Sequence, residues 1–267
     1  GKLKIEKEIA NNGKIAVSND VIYSLMNNEV IMYSKDFDEV KKVSLEKESK
    51  DIFIENNKLV LVNNASFRIL DENLTEIYAN DDVQNPGYVK FSKSNNNFVY
   101  TDYIKADNSI KSRFHILNSK DKTTVCDFTF VNEFIIDLGF INDSDDKLYV
   151  VTNEKLYIFE KNIIKNQYYI NNLKNIIYDS GKIYLFTNDL KVFNSKDLKL
   201  EKSAEIGEDY LNSYILDGNI LLVKKTGYVL IGKSNLKMKE FSAEITDSIK
   251  GEDSVYLILK NGYKKIK

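Results

Sequence analysis

The chain has 267 residues, with 38 basic side chains against 40 acidic ones and a formal charge of −2. This near-neutral balance gives no global pull toward phosphate backbones or anionic lipid, so nucleic acid is not an expected partner. Its apolar runs are short and broken by Lys, Asp or Asn, far below the roughly 20 residues needed to cross a bilayer. A chain of this length buries roughly three quarters of the surface its unfolded form exposes, ample for a single core.

The opening "GKLKIEKE" starts on Gly rather than Met, as a scar of tag removal would. It predicts an upstream segment and, with it, a protein that works outside the cytoplasm or is anchored to a membrane through that segment. A domain excised from a cytosolic protein would start the same way. Cys126, the only cysteine, is compatible with either compartment because it has no internal partner.

In chain order, seven apolar runs of one kind follow: "VIYSLMN" (21–27), "KLVLVNN" (58–64), "NFVYTDY" (97–103), "KLYVVTN" (147–153), "KIYLFTN" (182–188), "NILLVKK" (219–225) and "SVYLILK" (254–260). Most are followed, after a short turn, by a second run such as "FRILDEN", "FHILNSK" or "KVFNSKD", so the pairs are read as β-hairpins. Short length, Ile, Val, Tyr and Phe content, and Asn, Asp, Gly and Ser punctuation favour strand over helix. In "KIYLFTN", Ile183 and Leu185 point one way while Tyr184 and Phe186 point the other, so both faces must be covered. A further short strand precedes most hairpins ("DIFIE", "FIIDLGF", "NIIYD") and a more polar one follows ("EVKKVSL", "LKLEKSAEI", "LKMKEFSAEI"), as suits an exposed edge.

Four-stranded antiparallel units of about 40 residues, covered on both faces, are the blades of a β-propeller. The expected fold is all-β, a single seven-bladed propeller over 1–267. Its blades are placed at about 13–45, 49–80, 87–128, 134–170, 174–206, 211–245 and 246–267, the last completed by the N-terminal strand 3–10. This repeat grammar resembles the bacterial seven-bladed propellers of the quinoprotein-like or surface-layer-repeat (YVTN-like) kind. The chain has no Trp, so it carries neither the Trp-Asp dipeptide of WD repeats nor the Trp docking motif of quinone-dependent dehydrogenases.

Chemistry is sparse. His115 is the only histidine and lies within a strand pattern, "RFHILNS", which favours a structural role. Cys126 falls on an outer strand and is expected to pack. No catalytic residue and no cofactor is expected; calcium is the one ion considered, through Asp143, Asp145 and Asp146 of "NDSDDK", a segment that also has the composition of an ordinary hairpin turn. The third unit departs from the pattern, with the only proline in "DDVQNPGY" and a middle turn grown into "YIKADNSIKSRF" (103–114).

Loops entering the innermost strands, with those between second and third strands, build the face at which propeller ligands generally bind. Here that face is acidic and carries tyrosines: Glu48, Asp51, Asp82, Tyr88, Tyr103, Asp107, Asp209 and Tyr210 are its candidate ligand-binding residues. The expectation is a non-catalytic binding or scaffold propeller recognising a protein, a peptide or a saccharide. The alternative is a calcium-assisted hydrolase or lyase using channel-mouth carboxylates such as Asp51, Asp137 or Asp247 as general acid and base.

Overall fold

The computed structural model describes residues 14–267 except 19–20, 27, 107–108, 142–143 and 251–253. The strand expected at 3–10, with the closure of the last blade that it would provide, lies outside the described residues, as do Asp107 and Asp143. The described residues form 27 strands and no helix.

The strands make seven antiparallel sheets in which sequence neighbours pair. The first four sheets are β1–β4 (Lys14–Ser18, Val21–Met26, Glu29–Ser34, Glu39–Ser44), β5–β8 (Asp51–Glu55, Lys58–Val62, Phe67–Leu70, Glu76–Asn80), β9–β12 (Val89–Phe91, Asn97–Ala106, Ser109–Asn118, Thr124–Val131) and β13–β16 (Ile135–Phe140, Lys147–Thr152, Lys155–Glu160, Ile163–Tyr169). The next two are β17–β20 (Asn175–Asp179, Lys182–Phe186, Asp189–Asn194, Leu200–Glu205) and β21–β24 (Tyr210–Ile215, Asn219–Lys224, Gly227–Gly232, Met238–Ser242). The seventh sheet shows three strands among the described residues, β25–β27 (Ile245–Lys250, Val255–Leu259, Gly262–Ile266). This is the all-β, seven-bladed propeller class expected from the repeats. The described residues divide into two compact units, residues 14–165 and residues 166–267.

Within the first unit the cores alternate between successive sheets. Leu59 and Leu61 of β6 pack with Tyr23, Leu25 and Val30 of the first sheet, while Val60 between them packs with Val89, Phe98 and Tyr100 of the third. On β10, Val99 turns the other way and joins Phe114, Phe130, Leu148, Val150 and Phe159. The same alternation holds in the second unit: Ile220 and Leu222 pack toward Tyr184, Phe186 and Leu190, and Leu221 and Val223 toward Val255 and Leu257. Each fully buried aliphatic or Phe side chain contributes about 1.5–3 kcal/mol.

The turns between third and fourth strands carry a feature of their own. Phe37, Leu74, Lys122, Leu198 and Leu236 adopt left-handed backbone, with φ from 54° to 63°, where Gly or Asn is the usual occupant. A side chain at the turn's start or middle accepts the freed N–H groups: the Asp71 carboxylate takes those of Asn73 and Thr75 at 2.9 and 2.8 Å, and Asn194 takes that of Lys196 at 2.9 Å. Leu74 and Leu198 are buried, so apolar packing offsets the backbone strain.

The core predicts a sharp contrast between two phenylalanines. Phe159→Ala, at a fully buried position, should lower the unfolding free energy by about 3–5 kcal/mol in urea titration followed by circular dichroism. Phe241→Ala, on the exposed strand β24, should cost about 1 kcal/mol or less; equal losses would contradict this packing.

Candidate functional site

The hairpin of the third sheet is the structural outlier. β10 and β11 run ten residues each, against four to six in the middle strands of the other sheets. Its register continues unbroken from the Asn97–Asn118 pair to the Ala106–Ser109 pair, so the inserted residues extend the ladder rather than forming a slack loop.

The base of this hairpin is clamped on both sides. On one side, the 81–88 segment lies against β10: Tyr103 N–H donates to Gln84 O at 2.9 Å, Thr101 N–H to Tyr88 O at 2.9 Å, and Tyr88 N–H to Thr101 Oγ1 at 2.8 Å. Gly87 is required there, since a Cβ would sit 2.7 Å from Thr101 Oγ1 and 2.8 Å from the Tyr103 ring. On the other side, Asn132 N–H donates to Ile110 O at 2.8 Å and Ser112 Oγ to Glu133 O at 2.7 Å. The Glu133 carboxylate in turn accepts from Thr152 Oγ1 at 2.6 Å and Tyr157 OH at 2.9 Å.

Tyr88 and Tyr103 complete the clamp. Their hydroxyls donate to the carbonyls of Ile136 and Ile135, the latter at 2.7 Å, tying the third sheet to the first residues of β13. Burial pushes the Tyr103 phenol up to about 12, and burial together with Asp137 raises that of Tyr88. Both therefore stay protonated and act as donors.

The face of the hairpin turned toward the second sheet holds a polar group that the sequence reading missed. Asp102 is 1% exposed and receives Arg113 Nε at 2.8 Å and Arg113 Nη2 on its other oxygen, a fork-on-carboxylate pair. His115 Nε2 lies 3.4 Å from Asp102 Oδ1, an ion-pair distance rather than a formed hydrogen bond, and the imidazole stacks on Tyr100 at 4.7 Å. Burial pushes the Asp102 carboxyl up, but His115 and Arg113 more than offset it, and it is held below the usual carboxylate range. The lone histidine is thus part of a structural cluster.

A second pattern appears in the innermost strands. Lys14, Asp51, Asp137, Asn175, Asn212 and Asp247 each pair with the equivalent residue of the next strand, namely Leu25, Val62, Val151, Phe186, Val223 and Ile258. In four of them the side-chain oxygen accepts the N–H of the following residue: Asp51 at 3.0 Å, Asn175 at 2.8 Å, Asp247 at 2.7 Å, and Asp137 from Leu138. Asn175 and Asn212 also donate to Ser213 Oγ and Ser248 Oγ, at 2.7 and 2.9 Å, stitching consecutive sheets of the second unit. The three channel-mouth carboxylates considered for catalysis therefore occupy a repeated structural position.

Asp137 alone of these has an unusual environment. It is half-buried, accepts Tyr149 OH at 3.2 Å, and lies near Lys90, whose Nζ is taken by Glu55 at 2.8 Å. Gly139 makes room for that phenol, because a Cβ would approach the Tyr149 ring to 2.8 Å. Burial pushes the Asp137 carboxyl up to about 6.

The remaining candidates are dispersed. Glu48 and Asp82 are exposed on the loops before β5 and β9, in the same unit as Tyr88 and Tyr103. Asp209 and Tyr210 belong to the second unit; Asp209 is exposed and held low by Lys224 at 3.2 Å. Tyr210 is 8% exposed, gives its hydroxyl to Thr187 O at 3.2 Å and has Lys174 Nζ 4.8 Å from its ring centroid, so it serves the core. Asp145 accepts from Ser94 Oγ and, at 2.9 Å, from Asn96 Nδ2, while Asp146 accepts from Ser144 Oγ at 2.7 Å. Among the described residues no three His, Cys, Asp or Glu side chains assemble as a metal site. Cys126 is buried in the core between the third and fourth sheets, its thiol pushed up to about 11 by burial and then by Asp127.

No protein-family model matches the chain, and no curated protein matches it in sequence. Solved structures do resemble it. BamB from Moraxella catarrhalis is 12% identical over 93% of this chain and 80% of that one, with a TM-score of 0.57. Sqt1 of Saccharomyces cerevisiae is 7% identical over 96% and 98%, with a TM-score of 0.54. The WD40 domain of Neurospora crassa Pan2 is 9% identical over 95% and 88%, with a TM-score of 0.62. At these identities the likeness shows the fold alone.

The raised carboxyl of Asp137 has a signed consequence. The folded protein holds that proton more tightly than the unfolded chain, so its contribution to stability is present below the ordinary Asp value and lost as pH rises through about 6. The stability difference between Asp137→Asn and the parent should therefore grow in favour of the variant from pH 4 to pH 7.5, by about 1–3 kcal/mol. A pH-independent difference would contradict that environment.

Proposed function

We propose that the protein is a non-catalytic binding propeller that recognises a protein or peptide on the acidic loop face of its first unit. The observation that carries this reading is the lengthened β10–β11 hairpin, a regular ladder held at its base by Tyr88, Tyr103, Gly87 and the Asp102–Arg113 pair. A projecting element fixed before binding loses little conformational entropy when it meets a partner. The loops beside it present Glu46, Glu48 and Asp82 to solvent. A peptide suits this face better than a saccharide, since extended strands and exposed carboxylates offer main-chain and charge contacts.

Within the propellers we place the chain beside the quinoprotein-like or surface-layer-repeat kind, which the recurring "KLYVVTN" and "KIYLFTN" phrases support, while the lack of Trp sets it apart from WD repeats and from quinone-dependent dehydrogenases alike. Action outside the cytoplasm is part of the same reading and rests on the sequence expectation. The hydrolase alternative has less support: Asp51 and Asp247 are committed to neighbouring backbone N–H groups, and Asp137 is occupied with Tyr149.

Replacing residues 105–110 by Asn-Gly should close the hairpin with a two-residue turn after the hydrogen-bonded Ile104–Lys111 pair and leave the fold intact. With the partner trapped by photo-crosslinking in cell-envelope extract, the shortened protein should lose the crosslinked product while keeping the parent's melting temperature. Undiminished crosslinking would refute the hairpin's role. The same reading expects no shift in melting temperature between EDTA and millimolar calcium, whereas a site-bound ion would raise it by mass action.

A further inference from the structure

The first two sheets leave a groove between them at the outer rim, of about 310 Å³. Its walls come from the end of β4 and the residues just after it, and from β7, β8 and the turn between them. That volume lies at the lower end of the range for ligand pockets and suits one or two side chains rather than a cofactor.

Two kinds of group line it. Half-buried Val43 and Leu45 form an apolar floor, backed by the buried Leu70 and Leu74. They are held in place: Leu45 N–H donates to Asn28 O at 2.7 Å, Leu74 N–H donates to Asp71 O at 3.0 Å, and Lys41 Nζ pins Asn73 O from the facing strand. The polar wall consists of Glu46, Glu76 and Arg68.

The charges of that wall do not cancel. Arg68, with a side chain only 10% exposed, is neutralised twice, by Glu76 at 2.8 Å and Asp81 at 3.3 Å, and Asp81 also takes Lys47 at 2.9 Å. Glu46 has no hydrogen bond or ion pair among the described residues and is exposed at the groove's edge. Lys41, five residues before Glu46, is held on the Asn73 carbonyl, so the uncommitted negative charge is that of Glu46 at the Leu45 end of the floor. Glu48 and Asp82, exposed on adjoining loops, add to it.

We infer that this groove docks an extended peptide segment that places one aliphatic side chain on the Leu45–Leu70–Leu74 floor and a neighbouring Lys or Arg against Glu46. The inference rests on the binding reading above and names its partner's chemistry. Apolar burial supplies the affinity, and the cation chooses the orientation and rejects acidic segments. A short segment with two anchors binds weakly by itself, so a partner would engage the groove together with the projecting hairpin.

The test is a methyl-resolved NMR titration of the full chain with short Gly/Ser peptides that pair one Leu with one Arg at varied spacing, and with the same peptides carrying Glu in place of Arg. The Leu45, Leu70 and Leu74 methyl resonances should shift saturably with at least one Leu–Arg peptide, and binding should weaken about tenfold for its Glu counterpart. Glu46→Lys, at an exposed position, should abolish the shifts without altering the melting curve. The hairpin-shortened protein should retain them, so loss of the groove and loss of the hairpin reading are separable. Absent saturation, equal binding of the acidic peptides, or unchanged binding by Glu46→Lys would overturn the inference. Methyl shifts that depend on protein concentration without peptide would also overturn it, by assigning the groove to a second copy of the chain.

Discussion

The second, third and sixth sheets bury apolar side chains on both faces, and neither face can be left in water. Leu59, Val60 and Leu61 are consecutive and nearly inaccessible, yet the outer two serve the core shared with the first sheet and the middle one the core shared with the third. Because successive strand residues point to opposite faces, such a strand must sit between two neighbours. The consequence is sheets packed in sequence order within each unit, with polar fourth strands at the outside and loops gathered at the strand ends.

That constraint was legible in the sequence because it is local. The "KIYLFTN" phrase shows its two-sided character directly, and Ile183, Tyr184, Leu185 and Phe186 are all buried. What could not be seen is where the polar ends of side chains finish. Tyr88 and Tyr103 look like exposed recognition aromatics on composition, yet their hydroxyls reach carbonyls of Ile136 and Ile135 in the next sheet. Tyr210 sits at the first position of β21 with its ring in the core. Arg113 lay within the stretch expected as a lengthened turn, 103–114; only the register, which sets it directly opposite Asp102, makes the two a pair. The leucines in left-handed turns ran against the usual Gly or Asn signal, and nothing short of the packing around them would have found them.

These hidden contacts change the character of the face proposed for binding. The tyrosines are struts that fix the lengthened hairpin, so the proposed binding surface comes down to the hairpin's edges and the exposed carboxylates of the first unit. Arg68 follows the same logic on the second sheet: buried and doubly neutralised, it shapes a groove wall and leaves Glu46 as the uncommitted charge. The repeated Asp and Asn positions of the innermost strands fit that division, since their oxygens satisfy backbone donors at strand starts.

The account stands on the hairpin being rigid before it meets anything. Amide hydrogen exchange, resolved by peptide mass spectrometry, tests this most directly. The segments spanning 99–105 and 110–116 are predicted to be protected as strongly as the buried hairpin 147–160, with slow exchange continuing to the Lys105–Ile110 pair. Exchange of those segments within seconds, at the rate of an unstructured loop, would contradict it.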